Sequence, residues 1–388
     1  MSNNKPVIVI SATRFFQGGT LVIVNECLKF LSRTYQGIYH IKALVHDKTL
    51  FDPIEGIEWV EFPKSRKSVF HRLYDEYIYF SKCSIKWRPV LWLSLQDSTP
   101  RVKARVRAVY FHNPLLLSPK HLKLWKYQPR LSVLRLFYKN IYTRGIQKND
   151  VVITQQETIA RFLSKTYQLP LTKLWVFPPV IKAVPSNTSL TEVPDSVMEE
   201  SLPLQNEEDE LYTFIYPATA FYYKNHEVII KACKRLQNEG VRFRIWLTID
   251  GTENNYIRKL VTDAKKSLSQ VKFLGFLKRG ELFEYYKKAD CLVFPSLLES
   301  WGLPLSEFAT FNKPILCADL PYGRSTLQAQ RYNKAVYFDP SNDQLLAEQM
   351  RAAIKGALQY SENNSNTPGG FKQVDSWEQC FNLLLALR

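Results

Sequence analysis

On both sides of a stretch without a single Lys or Arg, residues 184–210, this chain repeats one pattern: a short apolar run followed by a longer amphipathic one. Before the stretch, strands are expected over 7–11, 41–46, 57–62, 90–95, 106–111, 151–154 and 173–177, with helices over 19–31, 69–80 and 156–166. After it, strands over 212–216, 243–249, 271–274, 291–294, 314–317 and 335–338 alternate with helices over 226–238, 255–267, 280–288, 304–310 and 344–358. Short apolar strands alternating with amphipathic helices form parallel, doubly wound α/β sheets. The expected organisation is an N-terminal Rossmann-like domain over 1–182, an acidic linker or surface excursion over 183–210 and a C-terminal Rossmann-like domain over 211–370. A last helix over 371–388 is free to cross back to the first domain. Ligands of such folds sit outside the carboxyl ends of the strands, so the loops after strands are the places to search.

Charge separates the halves. Residues 1–180 hold 28 Lys and Arg against 11 Asp and Glu, an excess of +17, and the remainder, 24 against 25, carries −1. Such a field attracts nucleic acid, anionic headgroups or acidic substrates, and charge alone does not choose among them. No run approaches 18 apolar residues, so no transmembrane segment is expected. The N-terminus leads directly into a β-like run without a cleavage pattern, which points to a cytoplasmic protein. Six scattered cysteines lack the close pairs of zinc or redox motifs and read as buried, reduced thiols. No cofactor or metal is expected.

The richest segment is Glu299-Ser-Trp-Gly-Leu-Pro-Leu-Ser-Glu307, just after an apolar run. Pro304 suits the first turn of a helix, where a missing N–H is no loss. Gly302 lets the main chain approach a ligand, and free amides at a helix start favour an anion such as a diphosphate. Glu299 stands before that helix and Glu307 one turn inside it, both suited to sugar or ribose hydroxyls. A capped helix with surface acids is the plainer alternative.

Four further places follow strands. Gly18 and Gly19 open an apolar helix, where a main chain without Cβ atoms comes close to a phosphate or sugar, or makes a flexible turn. The spacing matches neither the dinucleotide fingerprint nor a P-loop. Lys224 lies in a loop before an amphipathic helix and is the only cation between Lys182 and Lys231; there it could neutralise a departing diphosphate, or be an ordinary surface lysine. His112 ends a strand and could bind a substrate hydroxyl or serve as a satisfied structural histidine. Asp97, in the position of an acceptor-side base, has a turn or helix cap as its commoner role.

Taken together, Gly18-Gly19, His112, Lys224, Asp250-Gly251, Phe273-Leu274-Gly275-Phe276 and the Glu299 to Glu307 segment resemble the retaining glycosyltransferases of family four, the glycogen-synthase-like GT-B group. The resemblance is strongest over about 210–340 and weaker over 1–180. It implies two Rossmann-like domains facing a central cleft, and a UDP- or GDP-sugar donor. Glu299 would contact the donor sugar and Glu307 the ribose. The Gly302-Leu303-Pro304 amides and Lys224 would face the diphosphate, with Gly19 closing over it and His112 touching the sugar. Gly275, Phe276 and Leu277 would flank the base. Many relatives carry an Arg about five residues before the Lys, where this chain has Thr219, so the diphosphate has one side-chain cation fewer. The implied activity is sugar transfer with retention to a glycan or lipid-linked acceptor in a cell-surface polysaccharide pathway. The competing class is a non-catalytic nucleotide-sugar or nucleic-acid binding protein.

Two segments mix cations with rings, Lys64 to Tyr74 and Lys120 to Arg130. At a bilayer surface, cations meet anionic headgroups while rings sit at the interface; RNA could use the same mixture, and a solvated surface over an aromatic core is the default reading. Carboxylates at the centre of the site would repel phosphates, so no nucleic-acid groove is expected there and an anionic membrane surface fits better.

Overall fold

A computed structural model describes residues 5–15, 18–65, 67–118, 124–129, 132–133, 145–180, 211–362 and 369–387. The chain divides into two units, one formed by 1–125, 129–180 and 366–388, the other by 126–128 and 181–365. The expected linker, 183–210, lies outside the described residues.

The first unit is built on an eight-stranded sheet. Its strands are β1 (Val7–Ala12), β2 (His40–Val45), β3 (Ile57–Glu61), β4 (Leu91–Ser94), β5 (Val106–Phe111), β6 (Val151–Thr154) and β7 (Leu174–Val176). The order is β14-β7-β6-β5-β4-β1-β2-β3, where the edge strand Lys372–Gln373 comes from the far end of the chain and pairs in parallel with β7. The inner strands β1, β4 and β6 read as nearly continuous apolar runs, as strands buried on both faces do. Ile8, Ile10, Leu91, Leu93, Ala108 and Ile153 are buried on one face, and helix Gly19–Tyr35 supplies Val24, Cys27, Leu28 and Leu31. Helix Trp377–Ala386 closes the same core with Trp377, Cys380, Phe381 and Leu384. Phe381 stacks on Phe30 at 5.8 Å, and Tyr35 donates to Asn382 Oδ1 at 2.8 Å.

The second unit carries six parallel strands, β8 (Thr213–Tyr216), β9 (Arg244–Leu247), β10 (Val271–Phe273), β11 (Cys291–Phe294), β12 (Ile315–Ala318) and β13 (Ala335–Phe338). Their order, β10-β9-β8-β11-β12-β13, reverses direction at β8 and β11. Crevices open where a doubly wound sheet changes direction, so the loops after β8 and β11 are the pair to examine. Lys126–Gln128 group with this unit: Tyr127 stacks on Tyr222 at 4.3 Å, and Gln128 Oε1 accepts from the Tyr222 N–H at 3.2 Å.

The helix expected over 371–388 is confined to Trp377–Ala386, with the edge strand Lys372–Gln373 before it, and two more elements differ from expectation. The helix expected over 69–80 runs on to Trp87, as Val69–Tyr74, one π-helical turn Asp75–Tyr79 and Phe80–Trp87. Between β12 and β13 lies a helix that the sequence reading leaves out, Pro321–Ala329. Pro321 opens it at a position that tolerates proline. Gly323, which reads as a breaker, allows contact instead: a Cβ there would lie 2.5 Å from Cys317 Sγ and 3.1 Å from the Ala318 carbonyl. All six cysteines are buried and unbridged. Among the described residues no helix is long and apolar enough to cross a membrane, and no three His, Cys, Asp or Glu residues are grouped as metal ligands.

Candidate active site

In the second unit the loop after β8 turns sharply back into helix His226–Asn238. A short 3₁₀ turn, Tyr222–Lys224, ends on Asn225 in the left-handed region at φ 59°, a conformation asparagine tolerates better than most residues. The Asn225 amide donates to the carbonyls of Pro295 at 3.2 Å and Pro340 at 2.8 Å. Tyr216 donates its hydroxyl to the Lys224 carbonyl at 2.6 Å, and the Leu297 N–H reaches the Tyr223 carbonyl at 2.7 Å. The loops after β8 and β11 are thus joined by one main-chain bond, Leu297 to Tyr223, and by the Asn225 side-chain amide on the Pro295 carbonyl.

Across that seam Lys224 Nζ donates to Glu299 Oε1 at 2.5 Å, with the two side chains only 14% and 11% exposed. Lys224 is therefore not an ordinary surface lysine. Burying two ions largely offsets their attraction, so such a pair adds little net stability, but removal of either partner leaves a charge stranded. The Glu299 charge is felt by buried Tyr216, Tyr223 and Tyr322, whose phenols burial first, and Glu299 second or later, push upward. Deeper support comes from Tyr322, whose hydroxyl donates to the Ser296 carbonyl at 2.7 Å.

Helix Leu303–Ala309 follows, with Pro304 in its first turn. Gly302 sits at φ 85°, and a Cβ there would lie 3.2 Å from Leu305 Cδ1 and 3.4 Å from Phe294 Cε1. Glycine is thus required by backbone conformation and packing in their own right. The expectation that the Gly302-Leu303-Pro304 amides face a diphosphate needs correction. Pro304 has no N–H, and the Leu305 N–H is bonded to the Gly302 carbonyl at 2.9 Å. Gly302 and Leu303 are the two amide donors left in that tripeptide.

Glu307 lies one turn inside, buried, facing two partners that sequence reasoning missed. Arg279, the first residue of helix Arg279–Lys288, sends Nε to Glu307 Oε1 at 3.2 Å, and the Tyr286 hydroxyl lies 3.5 Å from Oε2. Burial raises the Glu307 pKa above the usual carboxylate value, with Arg279 and Tyr286 pulling against it. Arg279 and Tyr286 stand 28 and 21 residues from Glu307, so no local pattern announces them. Gly275, at φ 70°, lies where a Cβ would come 3.0 Å from Asp250 Oδ2, and beside it Phe276 is 70% exposed and Leu277 half-buried.

The remaining candidates belong to the first unit. Gly18 caps helix Gly19–Tyr35 at φ 75°, with open space where a Cβ would stand. His112 is buried against Tyr110 and Phe15 at ring distances of 4.5 and 5.5 Å, with Nδ1 3.1 Å from the Gln155 amide nitrogen. Burial lowers its pKa, against Asp97 and the Leu95 carbonyl, so the ring is neutral at pH 7. Asp97 is held at φ 64°, and its Oδ1 accepts the main-chain N–H groups of His112 and, at 3.0 Å, Asn113. That oxygen braces the turn after β5, the commoner of the two roles its sequence allowed. Alongside, Thr13 donates to Gln96 Oε1 at 3.0 Å and the Gln96 amide to Glu76 at 3.1 Å.

Residues 198–367 match the family model described as glycosyl transferases group 1. Over that span the chain is similar to the group 1 glycosyl transferases. In sequence the chain is similar to the O-antigen chain mannosyltransferase RfbU of Salmonella typhimurium, 23% identical over 234 residues, which are 60% of this chain and 58% of that protein. The chain thus matches under two thirds of that relative's length. In structure it resembles sucrose-phosphate synthase from Thermosynechococcus elongatus, at a TM-score of 0.66 and 15% identity over 91% of this chain and 90% of that one. It also resembles WaaG, a glycosyltransferase involved in lipopolysaccharide biosynthesis, at 0.65 and 14% identity over 90% of each. The fold is GT-B, two parallel-sheet α/β units.

Proposed function

We propose that this chain is a retaining glycosyltransferase that moves a sugar from a UDP- or GDP-sugar to a hydroxyl of a glycan or lipid-linked acceptor in cell-surface polysaccharide assembly, at the cytoplasmic face of the membrane. The observation that carries the reading is the Lys224–Glu299 pair, a cation and a carboxylate 2.5 Å apart, joining the loops after β8 and β11 inside the span similar to the group 1 glycosyl transferases. An ammonium has three donors. Lys224 can keep one on Glu299 and turn another to the donor's diphosphate, while the second Glu299 oxygen takes a sugar hydroxyl. Thr219 offers no cation there, so the leaving group's charge falls on Lys224 and the Gly302 and Leu303 amides.

In the front-face reaction the acceptor oxygen bonds to the anomeric carbon on the side from which the phosphate oxygen leaves. The acceptor proton passes to that departing oxygen, so no protein base is required. The protein's part is positioning and electrostatic stabilisation of the leaving diphosphate. Glu307, oriented by Arg279 and Tyr286, would hold the ribose, and Phe276 would lie against the base. His112, neutral and buried, would contact the transferred sugar, with Gly19 closing over the diphosphate. Incubation with a panel of UDP- and GDP-sugars, with and without a soluble acceptor, tests this. Nucleotide release with an α-linked product from an α-linked donor is expected; donor binding with no release over hours would make the chain a binding protein.

A further inference from the structure

The first unit carries a surface that neither the donor site nor the core uses. Residues 69–87 form one uninterrupted helical rod, with helical backbone at both joints of its π turn. Along it Phe70 is 84% exposed and Ile85 55%, with Tyr74, Ile78 and Tyr79 also exposed between them. Single exposed apolar residues are ordinary, but five large ones within sixteen residues make a patch that marks an interaction site.

The charges around this row are sorted by sign. Lys64, Lys67, Lys82, Lys86 and Arg88 are exposed. The acids of the same stretch are withdrawn. Asp75 is half-buried, with its pKa raised by burial, and Glu76 is fully buried. Glu76 faces inward, 3.2 Å from Arg72 Nε and 3.1 Å from the Gln96 amide, while its carbonyl accepts the Arg101 N–H at 3.1 Å. Those bonds fix which side of the rod faces the sheet, so the apolar row cannot roll into the core. Over the described residues of 62–90, every exposed ionised side chain is positive.

Three kinds of partner could meet such a face. Nucleic acid would satisfy the cations but leave the aliphatic Ile78 and Ile85 with no base to stack on. A second copy related by a two-fold axis would bring like charges together. An anionic bilayer satisfies both sets, with headgroups meeting the cations and apolar side chains entering the headgroup–acyl boundary. We propose that the rod 69–87 is a membrane-docking element that lies in the surface of an anionic bilayer, Phe70, Ile78 and Ile85 inserting while Lys67, Lys82 and Lys86 bind lipid headgroups. This deepens the membrane part of the function proposed above.

Vesicle co-sedimentation of the full chain tests it, on phosphatidylcholine alone and on phosphatidylcholine with phosphatidylglycerol. Wild type is expected to partition onto the anionic vesicles at least about tenfold better, and Phe70→Ser/Ile78→Ser/Ile85→Ser to lose about tenfold or more of that partition. Lys67→Glu/Lys82→Glu/Lys86→Glu alters exposed charges only, and should lower it by about fivefold per lysine, with a matching loss of salt dependence. Equal sedimentation on both vesicle types, or unchanged sedimentation of the serine variant, overturns the proposal. So does a concentration-dependent dimer that the serine variant abolishes without lipid, which would make the face a protein interface. Nucleotide release with a soluble acceptor, measured on the same samples, separates the two readings. Docking without any release sinks the transfer reading alone, and release without docking sinks this one alone.

Discussion

The two units place their candidate residues alike, just after the carboxyl ends of parallel strands, yet fill those places with opposite chemistry. In the second unit the strand ends hold opposite charges in contact, Lys224 with Glu299 and Arg279 with Glu307. In the first they hold mostly neutral groups: Thr13 and Gln96 bonded to one another, His112 kept uncharged by burial, and Gln155 beside it. A site for a diphosphate needs a cation, and a cation kept out of water without its anionic ligand needs a stand-in; Glu299 supplies that stand-in. A site for hydroxyls needs acceptors and donors but no net charge. The cationic excess of the N-terminal half is seen instead on its outside, as along residues 64–88.

The largest effect that would break this comparison lies in the core. Phe381→Ala should destabilise the first unit by about 3–5 kcal/mol, as large aromatic truncations in packed cores do, and leave the second nearly untouched. Two resolved unfolding transitions, only one of them shifted, are the expected result by calorimetry. A common shift of both would mean that the units unfold as one.

Next come the paired charges. Lys224→Ala and Glu299→Gln should each lower the turnover of folded enzyme about a hundredfold, the scale of one lost preorganised electrostatic contact, and each should also lower thermal stability, because the partner's charge is left stranded. Near-wild-type rates in either variant would remove that residue from the site and with it the contrast between the units.

The smallest effect sharpens the second pair. Glu307→Ala should weaken donor binding about tenfold with little change in maximal rate, because a ribose contact is equally strong before and during reaction. In the wild type, donor affinity should fall as pH drops through a midpoint above that of an ordinary carboxylate, since the Glu307 pKa is raised. Arg279→Gln removes a charge that holds that pKa down, so the midpoint should move further up. Stability runs the other way. With the folded value above the unfolded one, Glu307 favours the fold at low pH, and that contribution is lost as pH rises through the folded midpoint. Calorimetric titration of the donor against pH checks the first claim; if the midpoint does not move in the Arg279 variant, the pair does not set it.

Much of this was legible in one dimension because it repeats locally. Helix 226–238 and strand 291–294 emerge at the residues expected, since apolar periodicity is a short-range signal. Helix Pro321–Ala329 was not legible: its proline and glycine read as a loop, and only the packing of Gly323 on Cys317 shows why glycine belongs there. Lys224 and Glu299 were each visible as candidates, but their contact spans 75 residues and was not. The same holds for Arg279 at Glu307 and for Glu76 at Gln96, which depend on how the strands are ordered in the sheet. The exposed row from Phe70 to Ile85 was visible only in its first third, because a π turn shifts the register that helical spacing assumes.

One feature of the architecture bears on how the molecule is made. Edge strand Lys372–Gln373 and helix Trp377–Ala386 complete a sheet and a core begun at Val7. A ribosome has therefore emitted all of the second unit before it emits the residues that seal the first. The second unit can reach its native state while still tethered, whereas the earlier-made unit must wait with the groove around Phe30 and Tyr35 uncovered. Order of synthesis and order of completion are inverted, so a truncation before Lys372 would harm the part of the protein made first.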